Sequence, residues 1–373
     1  MVKNLLLVEQ PERPRIRFVE TRRTSCPKPS HCNAGPSSAA LPPASPSRNP
    51  FSRHSEAATP SPGKPAPGAG AAPRQLEPIR QIRAGELDVG YYEAGPRDGT
   101  PVLLMHGYPY DIHSYAEVAP LLAARGFRVI VPHLRGHGTT RFIDPQAPRN
   151  AQQSAVALDQ IALLDALGIE RALMVGYDWG ARTACVIAAL WPERCLGLLT
   201  VGGYIVTSLA AAAMPLPAKA EHDWWYQYYF ALERGRAGLQ ANRRDIARIL
   251  WTNNSPKWDY DEATFLRSAA SFDNPDYVDI VIHNYRWRLG LAPGQPQYDA
   301  WERRLAAQPA ITVPTITMDG TSNGIVPAGD GRAQAAKFSG PRSHRVVQAG
   351  HNLPQEAPQA LADAVLALAA GHV

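Results

Sequence analysis

The chain has 373 residues, 45% of them hydrophobic, which is enough for a sizeable core. Its net charge is +5, yet the first 75 residues hold eleven Lys and Arg against four Glu, or +7, leaving −2 for the remainder. The basic excess is scattered through a Pro/Ser/Ala-rich tract without interleaved aromatics, which argues against a nucleic-acid partner, and no apolar run reaches the length of a membrane span.

Met1 to Val8 is too short an apolar run for a secretory signal, and Arg22-Arg23 has no apolar stretch behind it, so a cytoplasmic protein is expected. From Thr24 to Pro78 the density of Pro, Ser, Ala and Gly cannot bury enough surface to offset the entropy of ordering, and residues 1–78 are read as a disordered leader. A transit peptide or a start placed too far upstream would have a similar composition. Cys26 and Cys32 lie in this tract and Cys185 and Cys195 in apolar segments, so no disulfide framework is implied. His31 beside Cys32 is a weak metal signal without a second cluster, and no metal is expected.

From Ile79 the pattern changes. Ile79 to Ala84 and Leu87 to Ala94 read as paired strands joined at Gly85, and Val102 to Met105 as a short buried strand. A helix from Tyr115 to Ala124 stops at Gly126, Arg128 to Val131 is the next strand, and Ala151 to Leu167 is a long amphipathic helix closed by Gly168. Arg171 to Val175 leads into Gly176-Tyr177-Asp178-Trp179-Gly180, and a helix-forming run from Ala181 to Leu190 leads out. Cys195 to Val201 is another strand. The alternation points to an α/β fold with a mostly parallel sheet and helices on both faces.

Between 204 and 309 strand signals vanish and Trp and Tyr crowd together, which reads as an inserted helical lid. The strand and helix rhythm resumes with Thr312 to Met318, a helix around Asp330 to Phe338, a strand at Ser343 to Val347 and a terminal helix from Pro354 to Ala370. The core is thus 79–203 and 310–373.

Asp178, set between small residues where a strand turns into a helix, has the position of a nucleophile held in strained backbone geometry. A carboxylate attacking an ester would make a reactive anhydride, whereas attack on an sp3 carbon makes an alkyl ester that water can cleave. Epoxides and alkyl halides fit that chemistry. His351, in Gly350-His351-Asn352 after the last strand, is the candidate general base. His106-Gly107-Tyr108-Pro109 follows a buried strand, and the N–H groups of Tyr108 and Trp179 are the candidate oxyanion donors. His106 itself reads as part of a scaffold turn.

Together these three motifs resemble the epoxide hydrolases of the α/β-hydrolase fold over roughly 79–370. The resemblance implies two lid tyrosines that hydrogen-bond the epoxide oxygen: Tyr226, from Trp225-Tyr226-Gln227-Tyr228-Tyr229-Phe230, and Tyr285, from Asn284-Tyr285-Arg286. Tyr228 and Tyr229 are substitutes if the register differs. It also implies a carboxylate behind His351, and here Asn323 occupies that position. An Asn carbonyl could accept the imidazole N–H but brings no charge, so Asp319, or Asp330, is the possible substitute acid.

Hydrolysis of an epoxide to a vicinal diol is the first reading, with a small apolar substrate, water and no cofactor. Haloalkane or haloacid dehalogenation by the same nucleophile is the second. Trp179 is also found after the nucleophile in haloalkane dehalogenases, and fluoroacetate dehalogenases carry two Arg, of which only Arg182 has a match. Arg182 could instead pair with an acidic neighbour on its helix. A ligand-binding protein on a hydrolase scaffold is the third reading.

Overall fold

The computed structural model describes residues 74–373. The tract before residue 74, with Cys26, His31 and Cys32, lies outside the described residues. The sheet is built from β1 (Arg80–Ala84), β2 (Leu87–Ala94), β3 (Thr100–Met105), β4 (Phe127–Pro132), β5 (Arg141–Phe142), β6 (Ala172–Tyr177), β7 (Cys195–Val201), β8 (Thr315–Gly320) and β9 (Arg342–Val347). Its order is β1-β2-β4-β3-β6-β7-β8-β9, with β5 added to β2. β2 runs antiparallel to β1, β4 and β5, and every pairing from β4 onward is parallel. Central strands such as β4 and β6 are buried along their whole length, as expected for parallel strands covered on both faces.

Register decides where a site can form. Met105 pairs with Gly176, Tyr177 with Val201, Val201 with Met318 and Gly320 with Val347. The segments carrying Tyr108, Asp178, Asn323 and His351 therefore leave the sheet at one edge, the carboxyl ends of parallel strands where open α/β sheets place ligands.

The core is flanked by α1 (Val118–Ala123), α2 (Gln153–Ala166) and α3 (Trp179–Leu190). Between β7 and β8 the chain forms only helices: α4 (Leu209–Ala212), α5 (Ala218–Asp223), α6 (Trp225–Ala231), α7 (Glu233–Asn254), α8 (Glu262–Ala269), α9 (Tyr277–Arg288), α10 (Asp299–Ala306) and short 3-10 turns. The chain ends in α11 (Leu353–Glu356) and α12 (Pro358–Ala369).

Several local expectations need correction. Leu76 is buried in the core, so ordered packing begins inside the tract read as disordered. α2 is not amphipathic, because its polar residues are buried too: Asp159 takes a two-pronged contact from Arg135 at 2.6 Å, and Ser154 bonds Glu302 of α10. The helix expected from Tyr115 begins at Val118, because Asp111 caps a separate 3-10 turn at Ile112–Tyr115. The helix expected around Asp330 to Phe338 is a 3-10 turn at Arg332–Lys337. The terminal helix is interrupted at Ala357 (φ −140°, ψ 58°), the residue before Pro358, where steric clash disfavours helical backbone.

Candidate active site

Asp178 sits at φ 51°, ψ −121°, in the positive-φ region of backbone space that non-glycine residues rarely enter. The turn closes so tightly that its neighbours cannot carry side chains. A Cβ on Gly180 would lie 1.9 Å from the Met105 carbonyl oxygen, one on Gly176 2.3 Å from the Gly180 carbonyl, and one on Gly107 2.4 Å from Asp178 Cβ. Asp178 Oδ1 accepts the Trp179 N–H at 2.7 Å and the Tyr108 N–H at 2.8 Å. Both donors thus converge on one oxygen, at the N-terminus of α3, where the helix dipole favours negative charge. Burial alone would raise the Asp178 pKa. His351, the Tyr108 N–H and Arg182 outweigh it, and the net direction is below the ordinary carboxylate value, so the group is an anion at neutral pH.

His351 Nε2 lies 3.4 Å from the second oxygen, Asp178 Oδ2, a contact longer than a good hydrogen bond. Its backbone is held from two sides. Ser255 Oγ accepts the His351 N–H at 2.9 Å and donates to Glu356 Oε1 at 2.6 Å, while Glu356 Oε2 accepts the Gly350 N–H at 2.6 Å. Neither Ser255 nor Glu356 is singled out by the sequence, since nothing local distinguishes a serine after α7 or a glutamate at the end of α11 from one that faces water.

Asn323 does reach His351, but with the opposite end of its amide from the one expected. Asn323 Oδ1 accepts the N–H groups of Ile325 and Val326, both at 3.1 Å, and Nδ2 faces His351 Nδ1 at 3.4 Å. Flipping the amide would set its NH2 against two backbone donors, so the orientation is fixed by the loop. A donor facing Nδ1 makes Nδ1 the acceptor and leaves the proton on Nε2. The expectation that the Asn323 carbonyl accepts the imidazole N–H is therefore overturned. Asp319 does not replace it: its Oδ2 accepts the Gly329 N–H at 2.9 Å and lies 3.8 Å from His344 Nε2. Asp330 is taken up by Arg332.

Tyr226 on α6 and Tyr285 on α9 meet edge to face, their ring centroids 5.3 Å apart. Tyr285 Oη is 3.4 Å from the indole Nε1 of Trp179, and Tyr108 stacks on Trp179 with centroids 5.5 Å apart. Burial, then the charge of Asp178, raises Tyr226 to about 12, and burial, then the neighbouring Tyr226 and the charge of Asp178, drives Tyr285 well above the ordinary phenol value, so both are protonated donors. Tyr228 and Tyr229 are more exposed than Tyr226, and Tyr228 also borders the cavity described next. The insertion also grips the loop that carries Tyr108: the Trp251 indole N–H donates to the Pro109 carbonyl at 2.7 Å and its ring stacks on Tyr110. His106 fills the scaffold role expected of it, with Nδ1 toward the Gly107 carbonyl and Nε2 accepting the Leu134 N–H.

A cavity of about 450 Å³ lies between the sheet's carboxyl edge and the helical insertion. Asp178, Asn323 and His351 border it from the core, and Trp224, Tyr226 and Arg288 from the insertion.

This arrangement can be set beside known proteins. The model of a family described as the alpha/beta hydrolase fold matches residues 100–358. The chain belongs to the alpha/beta hydrolase fold family. A crystal structure of a candidate epoxide hydrolase from Klebsiella pneumoniae is 52% identical, covers 79% of this chain and 98% of its own, and superposes with a TM-score of 0.78. Epoxide hydrolase A of Mycobacterium tuberculosis is 27% identical over 75% of this chain and 93% of its own length. Epoxide hydrolase B of the same organism is 31% identical over 153 residues, 37% of this chain, and the match spans only 42% of that relative.

Beneath the site of this hydrolase-fold chain lie three further buried histidines. His106 and His137 meet edge to face at 4.9 Å, His137 packs against Trp179, and His133 lies against Gly138. Burial lowers His133 and His137 to about 4 each and His106 well below its ordinary value. The unfolded chain takes up these protons near pH 6.5 and the native state does not, so it is the unfolded state that gains stability as pH falls. Stability is expected to decline from about pH 6.5 towards pH 4, by on the order of 3 kcal/mol for each of His133 and His137. Urea unfolding midpoints at pH 7.5 and pH 5 check this. Equal midpoints would show that the histidines are protonated in the folded state.

Proposed function

We propose that the protein hydrolyses an epoxide to a vicinal diol through an alkyl ester on Asp178. The supporting observation is the division of labour at that carboxylate. Oδ1 is fixed by two backbone N–H groups, while Oδ2 has only His351 at 3.4 Å, on the border of a cavity lined by the buried phenol Tyr226, against which Tyr285 packs. The similarity to proteins named epoxide hydrolases supports the same reading.

In the first step Asp178 Oδ2 bonds to an epoxide carbon, the C–O bond of the ring breaks, and the leaving alkoxide takes a proton from Tyr226 or Tyr285. An alkoxide is a poor leaving group, and a phenol placed on it supplies the acid catalysis, typically 10²- to 10⁴-fold. In the second step water attacks the ester carbonyl carbon. The N–H groups of Tyr108 and Trp179 hold the oxyanion, the diol leaves, and one water proton passes by way of His351 to restore the phenol. Each cycle consumes one epoxide and one water. Substrate, water and side chains suffice, and no step calls for a metal or cofactor.

Dehalogenation uses the same nucleophile but needs no proton donor. The Trp179 indole N–H points at Tyr285 rather than standing alone for a halide, which favours the epoxide. The double variant Tyr226→Phe, Tyr285→Phe distinguishes the two. Diol formation from styrene oxide is expected to fall by about 10³-fold or more. If diol formation holds and bromide release from a bromoalkane matches it, the phenols are packing residues and dehalogenation becomes the better reading.

A further inference from the structure

The cavity over Asp178 carries two cations that ester formation and hydrolysis do not use. Arg182, one turn into α3 beyond the nucleophile, and Arg288, the last residue of α9, both border it. Several other shielded arginines have a carboxylate: Arg128 has Glu93, Arg135 has Asp159, Arg149 has Asp276 and Arg286 has Glu233. Among the described residues, no carboxylate oxygen lies within 4.0 Å of the nitrogens of Arg182 or Arg288. Arg182 Nε is buried without a hydrogen-bond partner, and the Arg288 guanidinium sits 5.4 Å from the centre of the Tyr285 ring.

Sequence alone left open that Arg182 pairs with an acidic neighbour on its helix, and the structure shows no such pair. Burial and the nearby charge of Arg288 bring Arg182 down to about 10, with Asp178 the largest opposing influence. Asp319 also borders the cavity, but its carboxylate is directed to the Gly329 N–H and His344. Asp178 is thus the anion that Arg182 most feels, and alkylation removes that charge. At the ester intermediate two partly buried cations would then share one apolar-walled cavity with no counterion, which is costly unless the substrate brings one.

We propose that Arg182 and Arg288 form an anion subsite, and that the substrate is an epoxide bearing a carboxylate. The rest of the wall, including Val201, Ile205, Met214 and Leu216, suits an apolar body between the two functional groups. The substrate part of this inference rests on Asp178 being the alkylated nucleophile; the anion subsite does not. Guanidinium groups suit a carboxylate because their paired N–H donors match its two oxygens.

The test has a turnover arm and a binding arm, both on the full chain. In the first, kcat/KM is compared for 3-phenylglycidate and 3-phenylglycidamide, equal in shape and different in charge. The acid is expected to lead by at least about tenfold, and Arg288→Gln to reduce that ratio at least about tenfold while Arg288→Lys keeps part of it. In the second, 3-phenylpropanoate, which cannot react, is expected to raise Tm where 3-phenylpropanamide does not, and Arg288→Gln to abolish the difference. Equal Tm shifts for acid and amide, or none for either, would overturn the subsite. Acid-selective binding with no diol from either epoxide would leave the subsite standing and overturn the epoxide reading. Equal turnover of the two epoxides would overturn the assignment of the substrate class.

Discussion

Replacing Asp178 by alanine is expected to abolish diol formation, a loss of at least about 10⁴-fold measured by product release from an epoxide panel. The size follows from what the residue supplies. Without a carboxylate at the elbow, water must open the ring directly, and the two N–H groups of Tyr108 and Trp179 have no ester carbonyl to hold. The fold should tolerate the change, because Asp178 is an N-cap whose loss costs about 1 kcal/mol, and a β-carbon is already accommodated at φ 51°. Far-ultraviolet circular dichroism and Tm separate loss of chemistry from loss of structure. Undiminished turnover by a folded variant would place the chemistry elsewhere.

The second large effect is a gain. Asn323→Asp is expected to accelerate hydrolysis of the alkyl ester by about 10²-fold, up to the roughly 10⁴ by which the reverse change slows a serine protease. In the native protein the Asn323 amide presents a donor to His351 Nδ1, which selects the tautomer with the proton on Nε2. In that tautomer Nε2 already carries a proton, so His351 relays one from water only by forming an imidazolium or by shifting its proton to Nδ1, and either sets an Nδ1–H against the amide NH2 and slows the step. An aspartate could keep the Ile325 and Val326 N–H groups on one oxygen and accept the Nδ1–H with the other. In rapid-quench experiments the native chain is expected to accumulate alkylated enzyme, visible by intact mass, and the variant to show little. Absence of accumulation in the native chain, or equal decay in both, would show that ester hydrolysis is not limited by the imidazole.

How far the site could be read in advance depended on whether a residue's task is written in its neighbours. The elbow was legible because its geometry demands Gly176 and Gly180, and these stand beside Asp178 in the chain. The strands were legible because buried parallel strands are continuous apolar runs bounded by turn residues. The fate of Asn323 was not, since it turns on which end of an amide two loop N–H groups select. Ser255 and Glu356, which hold the His351 backbone, come from segments about a hundred residues apart and meet only in the fold. Arg288 was invisible for the same reason, although Arg182 carried a local signal. The broken terminal helix was the exception: Pro358 stood in plain sight inside the expected span and marked the interruption.

The most direct measurement is isotopic. Multiple turnovers of an epoxide in water enriched in heavy oxygen, followed by digestion and mass spectrometry of the peptide containing Asp178, report whether the carboxylate oxygen enters the product. The expected result is incorporation of label into Asp178, with a single turnover delivering unlabelled oxygen from the enzyme to the diol. An active preparation whose Asp178 peptide stays unlabelled would contradict a covalent ester, and the assignments of Tyr226, Tyr285 and His351 would fall with it.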